Sequence, residues 1–139
     1  MLDLRQVKFS IVQMPTKRMQ EFDEVGDYIE NHIIAYDTGI DLYNQLILLH
    51  ELVEYFVIKL KGLDWQDIDF FDKIAKNKKL LLRFPEHKYY KQAHKIALGV
   101  EKKIITFLGQ DWKEYNKFIL SINVQNQKVE NKNTPKSNR

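Results

Sequence analysis

His50, Glu51 and Glu54 fall within one helical turn of a stretch, LYNQLILLHELVEYFVI at 42–58, that contains no other histidine, acid or base. Twelve of its 17 residues are apolar or aromatic, so as a helix it has little surface to give to water and is expected to be buried. Three ionisable groups buried together need mutual hydrogen bonds, a cation or a water-filled cleft. On a helix His50 and Glu54 share a face, and Glu51 lies about 100° round from them. That is the geometry of the HExxH helix of zinc hydrolases, with Glu54 standing where the second histidine would be. The pattern H-E-x-x-E therefore assigns His50 and Glu54 as metal ligands and Glu51 as catalytic general base. A carboxylate ligand admits several divalent metals, with Zn²⁺, Mn²⁺ or Fe²⁺ ahead of Mg²⁺.

A metal needs further ligands. Asp69 and Asp72 flank the apolar stripe of a second helix, and His94 and Glu101 share one face of a third. Antiparallel helices joined by short loops would bring these faces to the first helix, which makes Asp72, His94 and Glu101 candidate ligands beside His50 and Glu54. Asp69 and Asp72 read equally well as solvated charges, and His94 as a surface histidine beside Lys91 and Lys95. His32 and His87 have no matching partners and read as structural or surface groups.

The elements that must position these residues can be read from hydrophobic period and turn signals. Val7, Phe9 and Ile11 alternate as a half-buried strand, and GDYIENHIIAYDTG reads as a hairpin with strands at Asp27–Glu30 and His32–Tyr36. Residues 16–25 read as a loop or short helical turn. Thr38 with Asp41 caps the first long helix, whose apolar seam is Leu42, Leu46, Leu49, Val53, Phe56 and Leu60, and Gly62 ends it. Asp64 with Asp67 caps a second helix, Trp65 to about Lys76, burying Ile68, Phe71 and Ala75. After a loop at NKK and Phe84–Pro85, a third helix runs from about His87 to Leu108, with Tyr89, Ala93, Ile96, Val100, Ile104 and Phe107 inward. Gly109 stops it and Asp111 caps the last. The order predicts an α+β fold, a small N-terminal antiparallel sheet packed on a bundle of about four helices.

Length and composition fit that reading. The 139 residues suit one domain, expected over 1–122, followed by a disordered basic tail at 123–139. That tail holds four basic residues against one acid, which accounts for the whole net charge of +3. The body is therefore neutral and lacks the footprint of a nucleic-acid binder. With no cysteine, disulfides, thiolate metal sites and cysteine nucleophiles are excluded. The apolar run is broken by charge and the start lacks the order of a secretory signal, so no membrane partner and a cytoplasmic location are expected.

Gly26-Asp27-Tyr28, the HELVE stretch, Asp69-Phe70-Phe71-Asp72, His94 with Glu101, and Gly109-Gln110-Asp111-Trp112 occur here in an order that resembles a family of small, uncharacterised bacteriophage and prophage proteins. The resemblance covers roughly residues 7–115. Where many members carry a cysteine and a longer Pro/Gly-rich loop, this chain has Ile58 and a shorter lysine-rich loop. The resemblance implies a phage origin and a host-cell setting, and it supports the site residues without bringing an activity.

Three functions compete. One is a zincin-like metal-dependent hydrolase of peptide or amide bonds, with Glu51 as base. Another is an all-α pyrophosphohydrolase-like enzyme, in which Glu51-x-x-Glu54 and Asp69-x-x-Asp72 would hold Mg²⁺ for nucleotide hydrolysis. The third is a phage accessory or counter-defence protein that binds a host protein or small molecule without catalysis.

Overall fold

Alternation in the opening segment produces β1 (Lys8–Val12), after a 3-10 turn at Leu4–Gln6. The computed structural model describes residues 1–124; the basic tail at 125–139 lies outside the described residues. The segment read as a loop or turn contains a short helix, α1 (Lys17–Phe22), capped by Thr16, whose side chain accepts from Met19 N. The hairpin follows as β2 (Gly26–Ile29) and β3 (His32–Tyr36), with Glu30 at φ +57° in its two-residue turn.

The fold is α+β, with a three-stranded sheet ordered β1-β3-β2. β2 and β3 are antiparallel, but β1 runs parallel to β3, so the sheet is mixed where an all-antiparallel one was expected. The connection through α1 carries the chain past the position that β3 later fills, and β1 never neighbours β2.

The helices are α2 (Asp41–Leu60), α3 (Trp65–Ile74), the short α4 (Lys78–Leu81) inside the expected loop, α5 (His87–Phe107) and α6 (Trp112–Ser121). Asp64 and Asp67 form the expected reciprocal cap of α3. The cap expected of Thr38 is replaced. Ile40 is the N-cap and offers no side-chain bond, while Asn44 reaches back from the first turn to Thr38 N (2.8 Å) and Thr38 Oγ1 (2.7 Å).

Both long helices are partly rotated from their expected seams, although Leu46 of α2 and Ala93 of α5 are buried as expected. α2 buries Ile47, Glu51, Glu54 and Ile58, with Leu48 and Tyr55 beside them, and leaves Leu60 exposed. α5 buries Ala93, Ala97, Glu101 and Ile105, and leaves Ile96 and Phe107 exposed. Choosing the most apolar stripe on each helix missed the true one, because the charges on the two buried stripes pair with each other across the interface. On α3, Ile68 and Phe71 are buried as expected, whereas Ala75 is exposed.

The sheet is covered on both faces. Tyr28, Ile33 and Ala35 join Ile47, Leu48, Tyr55 and Ile58 of α2 in the main core. Ile34 joins Met19 of α1 and Val124 in a second cluster. Val124 is fully buried, and its amide donates to Asp23 Oδ1 (3.1 Å), so packing continues two residues beyond the expected end of the folded part. Leu46, Ile105 and Tyr115 tie α2, α5 and α6 together. Among the described residues no helix is long and apolar enough to cross a membrane.

Candidate metal centre

The contact of α2 with α5 gathers the ionisable groups. His50, Glu54 and His94 offer ligand atoms that all lie within 4.8 Å of one another. His94 Nδ1 is 3.0 Å from Glu54 Oε1, and His50 Nε2 is 3.6 Å from the same oxygen. Tetrahedral coordination at metal–ligand distances of about 2.1 Å separates ligand atoms by roughly 3.4 Å, a value these two distances bracket. The side chains of His50 and Glu54 are buried, whereas that of His94 is half exposed, which leaves one side of the cluster open. It opens into a cavity of about 410 Å³ between α2, α5, α6 and the Asp23–Gly26 segment.

Neighbours fix each ligand. His50 Nδ1–H donates to Glu101 Oε1, and Tyr115 OH donates to Glu101 Oε2 (2.7 Å). A carboxylate on one ring nitrogen sets the tautomer and directs the other nitrogen, here Nε2, at the cluster. Tyr28 OH donates to Glu54 Oε2 (2.9 Å) while its ring stacks on Tyr55 at 4.4 Å, leaving Oε1 for the histidines. Glu51 Oε2 is 3.8 Å from His50 Nε2, and Glu51 accepts no hydrogen bond from the described residues. It fits because residue 26 is glycine: a Cβ there would sit 2.5 Å from Glu51 Cδ and 2.7 Å from its Oε2.

No family model, curated protein or solved structure matches the chain. The residues themselves therefore carry the functional argument, beginning with their electrostatics. Burial alone would push His50 down, but the hydrogen bond to Glu101 and the nearby carboxylates of Glu54 and Glu51 hold it up at about 11. Burial works to raise Glu54, yet the nearby His50 and the hydrogen bond with His94 bring it down to about 2. Glu51 is raised well above the usual carboxylate range, by burial first and then by Glu54. Without a metal the cluster is thus an imidazolium at His50 ringed by carboxylates, a proton standing where a cation would be held. A donor set of two imidazoles and one carboxylate suits a divalent metal of the zinc, manganese or iron type.

The expected ligands are thus divided. His50, Glu54 and His94 come together, with Glu51 beside them in the same cavity. Glu101 is in contact with the cluster, but its two oxygens face His50 and Tyr115, which makes it a positioning group for His50. Asp72 is not in the cluster: it pairs with Arg18 and accepts from Tyr90 OH at 3.1 Å. Asp69 pairs with Lys73 at 3.0 Å. The histidines set aside in the sequence are bonded elsewhere, His32 to Ser10 Oγ (2.6 Å) and His87 to the Phe84 carbonyl (2.9 Å).

Sequence reasoning missed Gly26, Tyr28, Glu24, Arg18 and Tyr115. Tyr28 and Tyr115 act across the fold, and no local spacing marks them. Arg18 follows Lys17 in a segment that reads as a loop or short helical turn, and its buried role shows only once Asp27 (3.2 Å) and Asp72 meet it.

Proposed function

We propose that this chain is a phage-encoded, metal-dependent hydrolase of zincin-like form, cleaving amide or peptide bonds. One observation carries the reading: His94 supplies the second histidine that H-E-x-x-E lacks, so α2 and α5 together present two histidines and a carboxylate with Glu51 alongside. Three such ligands with one position left open are the protein part of a catalytic zinc site. A divalent cation there would supply Lewis acidity and lower the pKa of a water. Glu51 would accept a proton from an attacking water as its oxygen bonds to the carbonyl carbon. The C–N bond breaks, and Glu51 returns the proton to the departing amine. Glu101 and Tyr28 hold the ligands in place and touch no reacting atom. The phage origin rests on the HELVE resemblance.

Elemental analysis of the purified protein is the first test, with about one equivalent of zinc, manganese or iron expected. Glu54→Gln should lose metal. Glu51→Gln should keep it while turnover falls by roughly 10²–10⁴. Metal lost from Glu51→Gln would instead make that residue a ligand. The direct His50–Glu101 and His94–Glu54 hydrogen bonds favour a second reading, a structural proton-bridged cluster in a binding protein, which absence of metal uptake together with a stable host-protein pull-down would support. The nucleotide reading draws no support from Asp69 and Asp72, which face Lys73 and Arg18 rather than Glu51 and Glu54.

A further inference from the structure

Glu24 has no part in the chemistry proposed above, yet it lines the same cavity. It lies in the segment between α1 and β2, immediately before Val25 and Gly26. Its backbone N–H bonds to the Met19 carbonyl (3.1 Å), which fixes the turn, but its carboxylate takes no hydrogen bond from the described residues. Partial burial without a donor pushes it up to about 7. Glu51 packs against Gly26, lines the same cavity, is only 8% exposed and, beyond a 3.8 Å contact with His50 Nε2, likewise takes no hydrogen bond from the described residues. Arg18 binds Asp27 and Asp72 through its two terminal nitrogens, while its Nε is buried without a hydrogen-bond partner among the described residues. The cavity thus holds two carboxylates in want of donors, one of them nine-tenths buried.

The missing partner is a cation with several donors. A second metal is a poor fit, since His50, Glu54 and His94 are the only set of three or more metal-ligating side chains found among the described residues. An ammonium group carries three N–H donors and is satisfied by two or three acceptors. Leu98, Ile119 and Ile122 also line the cavity, and their apolar side chains suit the carbon chain that an amine brings with it. We propose that the cavity binds a primary amine, its ammonium between Glu24 and Glu51 and its alkyl part along Leu98, Ile119 and Ile122. On the hydrolase reading, and only there, the substrate class becomes an amide whose acyl or amine part bears such an ammonium group, with Glu24 as the specificity-determining residue.

The test is calorimetric or NMR titration of the purified full chain with n-butylammonium, n-butanol and butyrate, with metal content measured on the same sample. Saturable binding of n-butylammonium is expected, with n-butanol and butyrate each weaker by about ten-fold or more, the scale of one hydrogen bond to a charged group. Glu24→Gln should weaken n-butylammonium by a similar factor and leave metal content unchanged. Equal binding of n-butanol and n-butylammonium by the unaltered chain would overturn the proposal without any variant having to fold, and so would full-strength binding by Glu24→Gln. Metal without amine binding removes the amine site and leaves the hydrolase reading standing. Amine binding without metal keeps the site and removes its role in hydrolysis.

Discussion

A methyl group at residue 26 would occupy the space of the Glu51 carboxylate, so the two positions are coupled by sterics alone. Gly26→Ala should force Glu51 off its present rotamer at a cost of about 1–3 kcal/mol. In a Glu51→Ala background the three atoms nearest that methyl are gone, and most of that cost should vanish. A double-mutant cycle by urea denaturation reads the difference as an interaction energy. Equal costs in both backgrounds would mean that Glu51 does not sit against Gly26. The dependence also explains why the site was only partly legible. HELVE announces itself, since three charges in an apolar helix demand an explanation. The vacancy that receives Glu51 is a glycine 25 residues earlier, and a glycine before a strand is an ordinary sight.

At the scale of elements, the site is a product of how closely α2 and α5 approach. Ala93 and Ala97 are fully buried on α5, and small side chains there let His94 and Glu101 reach His50 and Glu54. Ala97→Leu should overpack the interface, cost about 1–3 kcal/mol, and reduce metal retention by parting the two helices. Unchanged metal content in a folded Ala97→Leu protein would show that the helices adjust without disturbing the cluster. Helix positions and the Asp64 cap were legible in the sequence because period, cap and glycine stop agree there. The faces were not, because apolar patterning ranks Ile96 and Leu60 above Glu101 and Glu54. The charged residues win those places by pairing across the interface, which a single helix read alone does not reveal. The same limit applies to β1, an edge strand that forms where expected but leaves Phe9 and Ile11 exposed while Ser10 between them is half-buried.

For the whole molecule, these groups tie stability to pH. Glu54 is held near 2 against its usual 4.5, so its contribution is present above pH 4.5 and lost as pH falls through about 2. His50 is held near 11 against 6.5, so its contribution is full below pH 6.5 and lost as pH rises through about 11. Glu24, raised to about 7, keeps its proton longer in the folded form and adds to the loss between pH 4.5 and 7. Metal-free protein should therefore be most stable at about pH 5 and decline to either side, as measured by urea denaturation at fixed salt. A profile flat from about pH 5 to pH 9 would contradict the buried imidazolium. Metal uptake requires His50 to give up its cluster-facing proton, so added Zn²⁺ should raise the melting temperature more at higher pH. The cluster also has an optical consequence. Trp112 stands 5.6 Å from the Tyr115 ring, whose hydroxyl holds Glu101, which in turn holds His50. The chain has two tryptophans, so Trp65→Phe leaves Trp112 as the sole indole emitter. Its fluorescence should then change when Zn²⁺ is added and return with a chelator, making the protein its own indicator dye for the state of the site.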